Sequence, residues 1–130
     1  MAFAGRMGLI VLLLGTVLPA CAHRSEAEGE ASGPPPNAEL AIEIENHNWS
    51  DVIIYLVRGT NVERLGMVGS VKTETFVIPF RRLGYGEARL RAYPIGGPAA
   101  FTSENLSAQP GQMVKWTLEN DLTRSFLGIY

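Results

Sequence analysis

Three residue types that together can form a hydrolytic triad stand within five positions: His47, Ser50 and Asp51, in the stretch HNWSD. In a working triad the histidine takes the serine proton and the carboxylate orients the histidine. Such side chains converge from separate segments, whereas Asn, Ser and Asp in a turn usually hydrogen-bond to nearby backbone. We therefore expect a structural turn here, and we predict that the protein is not an enzyme.

The residue pattern does not indicate a metal-binding or cofactor-binding site. His47 is the only histidine after residue 37, and Cys21 is the only cysteine of the chain. A structural zinc site takes about four Cys, His or acidic ligands. Phosphate-loop, zinc-protease and calcium-loop spacings are not found in the sequence either. We predict no metal and no cofactor.

The charge of the chain gives no indication of a nucleic-acid partner. Eleven basic and thirteen acidic residues give a net charge of -2. Two of the basic and three of the acidic residues precede residue 38, which leaves nine and ten in the remainder. A nucleic-acid-binding domain normally carries a basic patch on a basic background. We predict no nucleic-acid binding.

The cysteine follows a segment of signal-peptide type. Arg6 supplies a positive charge, and residues 7–18 form an apolar run interrupted only by Gly and Thr. The run has about 12 residues, whereas a helix needs about 20 to span a bilayer. We therefore expect a cleaved signal peptide over residues 1–20 and no permanent transmembrane helix.

The sequence LPAC at residues 18–21 resembles the lipobox of bacterial lipoproteins. The resemblance implies cleavage after Ala20 and thioether lipidation of Cys21. Because Ala22 rather than Asp follows the cysteine, it also implies retention in the outer membrane, on the periplasmic side. An alternative stays open: Ala20-Cys21-Ala22 fits an A-x-A signal cleavage site before His23, which would release a soluble secreted protein.

The remaining chain divides into a linker and one domain. Residues 21–37 begin with the cysteine and continue with Ala, Glu, Gly, Ser and Pro but no large apolar residue, so we predict a disordered linker. Residues 38–130 contain seven or eight short runs with period-two hydrophobic alternation, separated by Gly, Pro and Asn. In residues 112–120, for example, Val114, Trp116 and Leu118 share one face. The pattern predicts an all-β domain, an antiparallel β-sandwich of seven to eight short strands.

Two further expectations concern pairing and family. The run at residues 51–59 is apolar on both faces and predicts a central strand paired to the first strand, at residues 39–46. The layout of residues 38–119, with PGQMV at residues 110–114 leading into a late strand, resembles immunoglobulin-like and transthyretin-like sandwich modules. That resemblance implies a fold and no particular activity.

Exposed aromatic and basic residues in loops are the candidates for binding, because loops at the ends of sandwiches often carry recognition. Arg89 and Arg91 share one strand face, and we expect them to pair across strands with Glu43, Glu45 or Glu74. The alternative is a basic patch, with Arg81 and Arg82, that meets an anionic partner such as a lipid headgroup or a polysaccharide. The candidate binding residues are Trp49, Phe80, Arg81, Arg82 and Tyr85.

These observations predict a lipid-anchored bacterial envelope protein with a non-enzymatic interaction or structural module. Its partners would be the membrane, through the N-terminal lipid, and another envelope protein or a glycan. The alternative is a small-ligand or glycan-binding domain that uses the loop aromatics.

Overall fold

The computed structural model describes residue 35 and residues 37–97 and 99–130. The predicted signal peptide, Cys21 and nearly all of the predicted linker lie outside the described residues. Within them, no helix is long and apolar enough to cross a membrane. The elements are β1 (Glu39–Asn46), β2 (Val52–Arg58), β3 (Asn61–Val68), β4 (Thr73–Pro79), a 3₁₀ turn (Phe80–Leu83), β5 (Ala88–Pro94), β6 (Phe101–Thr102), β7 (Met113–Leu118), a second 3₁₀ turn (Leu122–Arg124) and β8 (Phe126–Ile129).

The strands form two four-stranded sheets. The first sheet has the order β4-β1-β7-β8 and the second has the order β3-β2-β5-β6. The prediction of an all-β sandwich of short strands is confirmed. The expectation of purely antiparallel pairing is wrong at one place, because β1 and β7 pair in parallel, from Ala41 with Met113 to Asn46 with Leu118. Parallel neighbours need a long connection, and here the chain passes through both sheets between β1 and β7.

The pairing predicted for β2 is half right. β2 is a central strand, flanked by β3 and β5, but it does not pair with β1. The loop at residues 47–51 carries the chain from the first sheet to the second. Apolar side chains on both faces mark a strand as central, but they do not show which sheet the strand joins.

The space between the sheets is filled by one apolar cluster. Leu40, Ile42 and Ile44 of β1 point inward, as do Val52, Ile54 and Leu56 of β2, and all six are fully buried. Trp116 of β7 is also fully buried, and its ring stacks on Phe101 with 6.3 Å between centroids and 30° between planes. The alternation predicted for residues 112–120 is therefore confirmed for Val114, Trp116 and Leu118.

One predicted strand is cut short by a side chain. The run AAFTSENL at residues 99–106 forms only the two-residue β6. Immediately after it, the Ser103 hydroxyl accepts from the backbone N–H of Leu90 and donates to the backbone carbonyl of Glu104. The N–H of Leu90 thus donates to the Ser103 side chain instead of to a backbone carbonyl of a longer β6, so the strand ends there.

Candidate functional site

The turn after β1 is held by Asn46, which is only 1% exposed. Its Nδ2 donates to the backbone carbonyls of Ser50 and Gly69, both at 3.0 Å, and more weakly to that of Val68 at 3.4 Å. Its Oδ1 accepts from the backbone N–H of Asn48 at 2.9 Å. One buried amide therefore joins the β1–β2 loop to the β3–β4 turn.

Asn48 makes the corresponding link to a third loop. It is 4% exposed; its Oδ1 accepts from the N–H of Ser50 at 2.9 Å, and its Nδ2 donates to the carbonyls of Glu119 and Asn120 at 3.3 and 3.1 Å. Buried polar side chains are normally satisfied in this way. The Asn48 side chain thus bonds to backbone, as expected for a structural turn, whereas Ser50 takes part through its backbone N–H and carbonyl.

The three residue types of the triad have separate partners. His47 contacts two glutamates: Nε2 lies 2.8 Å from Glu45 Oε1, and Nδ1 lies 3.4 Å from Glu119 Oε1. The Asp51 carboxylate accepts from the N–H of Ser70 at 2.8 Å. In these contacts the structure does not bring His47 and Asp51 together, so the arrangement lacks the geometry by which a triad acts.

The carboxylates around His47 change its protonation. The hydrogen bond to Glu45, assisted by Glu119, raises the pKa of His47 above 6.5. The pKa of Glu45 is in turn lowered, first by its bond to Lys115 and then by His47. Lys115 Nζ lies 2.8 Å from Glu45 Oε2 and 3.3 Å from Glu43 Oε1. A chain of alternating charges therefore runs across the outer surface of the first sheet.

This cluster predicts a pH dependence of stability. The folded state binds the His47 proton more tightly than the unfolded state does, so its contribution is complete below pH about 6.5 and is lost as pH rises through the folded pKa. We expect the unfolding midpoint in denaturant to fall over that range, and to fall less in His47→Gln. The effect is small, because the group is exposed. The pKa of His47 itself, measured by NMR, should lie above that of a model peptide; an equal or lower value would contradict the assignment.

The candidate binding residues lie at opposite ends of the sandwich. Trp49 is 79% exposed and lies beyond the end of β1, where its N–H donates to Asn120 Oδ1 at 3.1 Å. Tyr85 is fully exposed and lies beyond the end of β4, and β4 runs antiparallel to β1 with Pro79 paired to Glu39. The structure therefore does not assemble Trp49 and Tyr85 into one site.

The other candidates surround the 3₁₀ turn after β4. Phe80 is half-buried and packs against the core, Arg81 is exposed, and Arg82 forms a salt bridge with Glu63 of β3. Beside them, a groove of about 440 Å³ is lined by Arg58, Tyr85, Glu87 and the backbone of Gly59 and Gly84, with Leu83 below. The sequence analysis missed Arg58, which is the last residue of an otherwise apolar strand.

The outer surface of the second sheet is a feature of which the sequence indicated only Arg89 and Arg91. We name it the Arg–Tyr face; it comprises nine outward positions of β3, β2 and β5. By register they form three rows: Met67, Ile53 and Tyr93; Arg64, Tyr55 and Arg91; Val62, Val57 and Arg89.

The arginines of this face do not have the partners that we expected. Arg89 and Arg91 were predicted to pair with Glu43, Glu45 or Glu74, and this is wrong: β5 belongs to the second sheet, whereas those glutamates lie on β1 and β4 in the first. Arg89 instead contacts Glu87, two residues away, at 3.1 Å. The Nε of Arg91 donates to Thr102 Oγ1 at 3.3 Å. Strand alternation placed both on one face correctly, but the choice of sheet decided what lies opposite.

The Arg–Tyr face exposes a substantial apolar surface. Met67 and Val62 are each 47% exposed and Tyr93 is 49% exposed, while Ile53, Tyr55 and Val57 are half-buried between them. Contiguous exposed apolar side chains are unusual on a monomer and commonly mark a binding surface. Aromatic residues, Met and Arg are also the types enriched in protein interfaces.

Comparison with known proteins adds no family to this picture. No protein-family model matches the sequence, and no curated protein matches it.

Proposed function

We propose that this protein is a lipid-anchored, non-enzymatic interaction module of the bacterial envelope, attached through Cys21 to the outer membrane and facing the periplasm. The lipobox-like LPAC motif supports the anchor. Lipid chains contribute about 0.8 kcal/mol for each buried methylene, so several chains would hold the protein on the membrane.

The observation that carries the interaction role is the Arg–Tyr face. It combines three arginines with exposed Met67 and Tyr93 on one outer surface of the second sheet. A flat face of this composition recognises another surface rather than enclosing a small substrate, because binding sites for small molecules are concave. By contrast, the polar residues near HNWSD are engaged in holding three loops together.

Comparing the wild-type chain with Cys21→Ser tests the anchor. We expect the wild type to fractionate with membranes, with a mature N-terminus at Cys21 whose mass includes acyl chains. The variant should lose the lipid mass and leave the outer-membrane fraction. Cys21→Ala, which also lacks the thiol, should behave like the serine variant. If the wild type and both variants accumulate as soluble protein beginning at His23, the anchor proposal is overturned.

A further inference from the structure

The two outer surfaces of the sandwich carry opposite charge. We name the outer surface of the first sheet the Glu face. The register of β4, β1, β7 and the C-terminal segment gives this face three rows. The first row is Val77, Ala41, Met113 and Tyr130, with Glu39 beyond it. The second row is Thr75, Glu43, Lys115 and Gly128, and the third is Thr73, Glu45, Thr117 and Phe126.

Acidic residues outnumber basic ones on the Glu face. Glu39, Glu43 and Glu45 stand against Lys115, which is bonded to Glu43 and Glu45, and against His47 at the edge, which is bonded to Glu45. Glu119 adds a carboxylate at the edge of this face, beside His47. The nine positions of the Arg–Tyr face hold three arginines and no acidic residue, with Glu87 touching only Arg89. The two surfaces are therefore electrostatically complementary.

The apolar residues of the two faces are arranged alike. On the Glu face, exposed Val77, Met113 and Tyr130 form a row beside the charged row that contains Glu43 and its partner Lys115. On the Arg–Tyr face, Met67, Ile53 and Tyr93 form a row beside the row that contains Arg64 and Arg91. Each face therefore offers an apolar stripe next to a charged stripe. Stacking two such faces would bury the apolar stripes and bring opposite charges together.

From this complementarity we infer that the Arg–Tyr face of one copy docks on the Glu face of a second copy. The inference rests on the proposed interaction role and names the partner. Because two different surfaces meet, the contact is heterologous, and a docked pair still presents one free face at each end. The product is a row of copies rather than a closed dimer.

The composition of the Arg–Tyr face favours a protein partner over a glycan or a lipid headgroup. An anionic glycan would use the arginines and the tyrosine rings, but not the aliphatic side chains of Ile53, Val57 and Met67. A second sheet uses all of them, since two sheets pack face to face about 10 Å apart with interleaved side chains.

The area of the proposed contact is small, and the area determines whether the contact forms in dilute solution or only between copies on one membrane. The Arg–Tyr face consists of three strands of about seven residues. With about 4.8 Å between strands and about 3.3 Å per residue, its area is on the order of 300 Å². A standard interface buries about 800 Å² on each partner, so we expect weak association in dilute solution. Copies held on one membrane meet at an effective concentration in the millimolar range, which compensates for weak affinity.

Photocrosslinking between two tagged copies of the full chain tests this contact in the envelope. The two copies carry different tags, both inserted within residues 22–34. The first copy also carries a benzophenone amino acid in place of Tyr93. We expect a crosslinked product bearing both tags. Arg64→Glu with Arg91→Glu in the first copy should reduce it at least fivefold, and Arg81→Glu, a charge reversal on the exposed 3₁₀ turn after β4, should not.

Exchanging the charges of the two faces distinguishes a loss of docking from misfolding of the variants. Glu39→Arg with Glu43→Arg in the second copy leaves Lys115 paired with Glu45 and should also abolish the product with an unchanged partner. Combining this copy with the Arg64→Glu, Arg91→Glu copy should restore crosslinking, because the signs are again opposite. Failure of that restoration would overturn the assignment of the Glu face as the receiving surface.

The remaining outcomes distinguish this inference from the proposed function. A benzophenone at position 93 that captures other envelope proteins but never the tagged copy refutes self-docking and leaves the interaction role standing. A benzophenone that captures nothing, in a chain whose membrane fraction and protease resistance match the wild type, refutes both. The anchor is judged separately by the Cys21 variants.

Discussion

Trp116→Ala is expected to lower the free energy of unfolding by about 3 to 5 kcal/mol, the range for removing a buried aromatic side chain. Trp116 is fully buried between the sheets and stacks on Phe101. It also sits on β7, the only strand of the described chain that joins β1 in parallel. Small domains are stable by about 5 to 15 kcal/mol, so the loss is a large share of the total.

The matched control for this change is Trp116→Phe. The indole Nε1 of Trp116 is buried and has no hydrogen-bond partner among the described residues. An unsatisfied buried donor costs about 1 to 3 kcal/mol, and phenylalanine removes that cost while it keeps most of the ring. We therefore expect Trp116→Phe to cost about 1 to 2 kcal/mol, well below the alanine variant.

Denaturant unfolding followed by circular dichroism measures both variants. Fluorescence is unsuitable, because the remaining Trp49 is 79% exposed and reports little on the core. A loss below about 1 kcal/mol in Trp116→Ala would mean that this side chain does not anchor the core, since such small effects are typical of surface positions.

Asn46→Ala is expected to cost about 2 to 4 kcal/mol, through polar groups rather than volume. The change removes the donor that serves the carbonyls of Ser50, Gly69 and Val68, and it leaves the N–H of Asn48 without its acceptor. These backbone groups lie at the junction of loops from both sheets. Because these backbone carbonyls and the N–H of Asn48 lose a hydrogen-bond partner inside the fold, the cost of leaving them desolvated adds to the free energy of the lost bonds.

Asn120→Ala controls for removing a loop amide of the same type. Asn120 is exposed, and its side chain accepts one bond, from the N–H of Trp49. We expect this variant to lose less than about 1 kcal/mol. Amide hydrogen exchange at Asn48 and Ser50 should accelerate in Asn46→Ala and stay near wild type in Asn120→Ala. Equal effects of the two variants would contradict a special role for Asn46.

The two large effects and the surface proposal concern different parts of the molecule. Trp116 and Asn46 decide whether the sandwich holds together, whereas Arg64, Arg91 and Glu43 lie on its outer faces. Changes at well-separated sites without shared partners combine nearly additively. Substitutions at surface positions usually change stability by less than about 0.5 kcal/mol, so the Arg64 and Arg91 variants are expected to stay near wild-type stability. Glu43→Arg also removes the contact with Lys115, and its stability is measured beside its crosslinking.

The sequence by itself was sufficient to predict most of the strands, and the residues that share a face in β1 and β7. Alternation in ELAIEIEN and QMVKWTLEN identifies which side chains are buried, because successive residues of a strand point to opposite faces whatever the strand's neighbours. It also predicts Cys21 as a lipidation site, because the LPAC motif is local in sequence. That prediction concerns residues outside the described structure and awaits the fractionation experiment.

Only the tertiary structure decided which strands are neighbours, and with them the functional surfaces. β1 pairs in parallel with β7, and β2 joins the other sheet, because pairing depends on contacts far apart in sequence that local alternation does not encode. For the same reason Trp49 and Tyr85 lie at opposite ends, and Arg89 and Arg91 lie on the sheet opposite Glu43. Arg64, Arg89 and Arg91 lie on one outer face, and Glu39, Glu43 and Glu45 lie on the other. The proposed contact between copies follows from that separation.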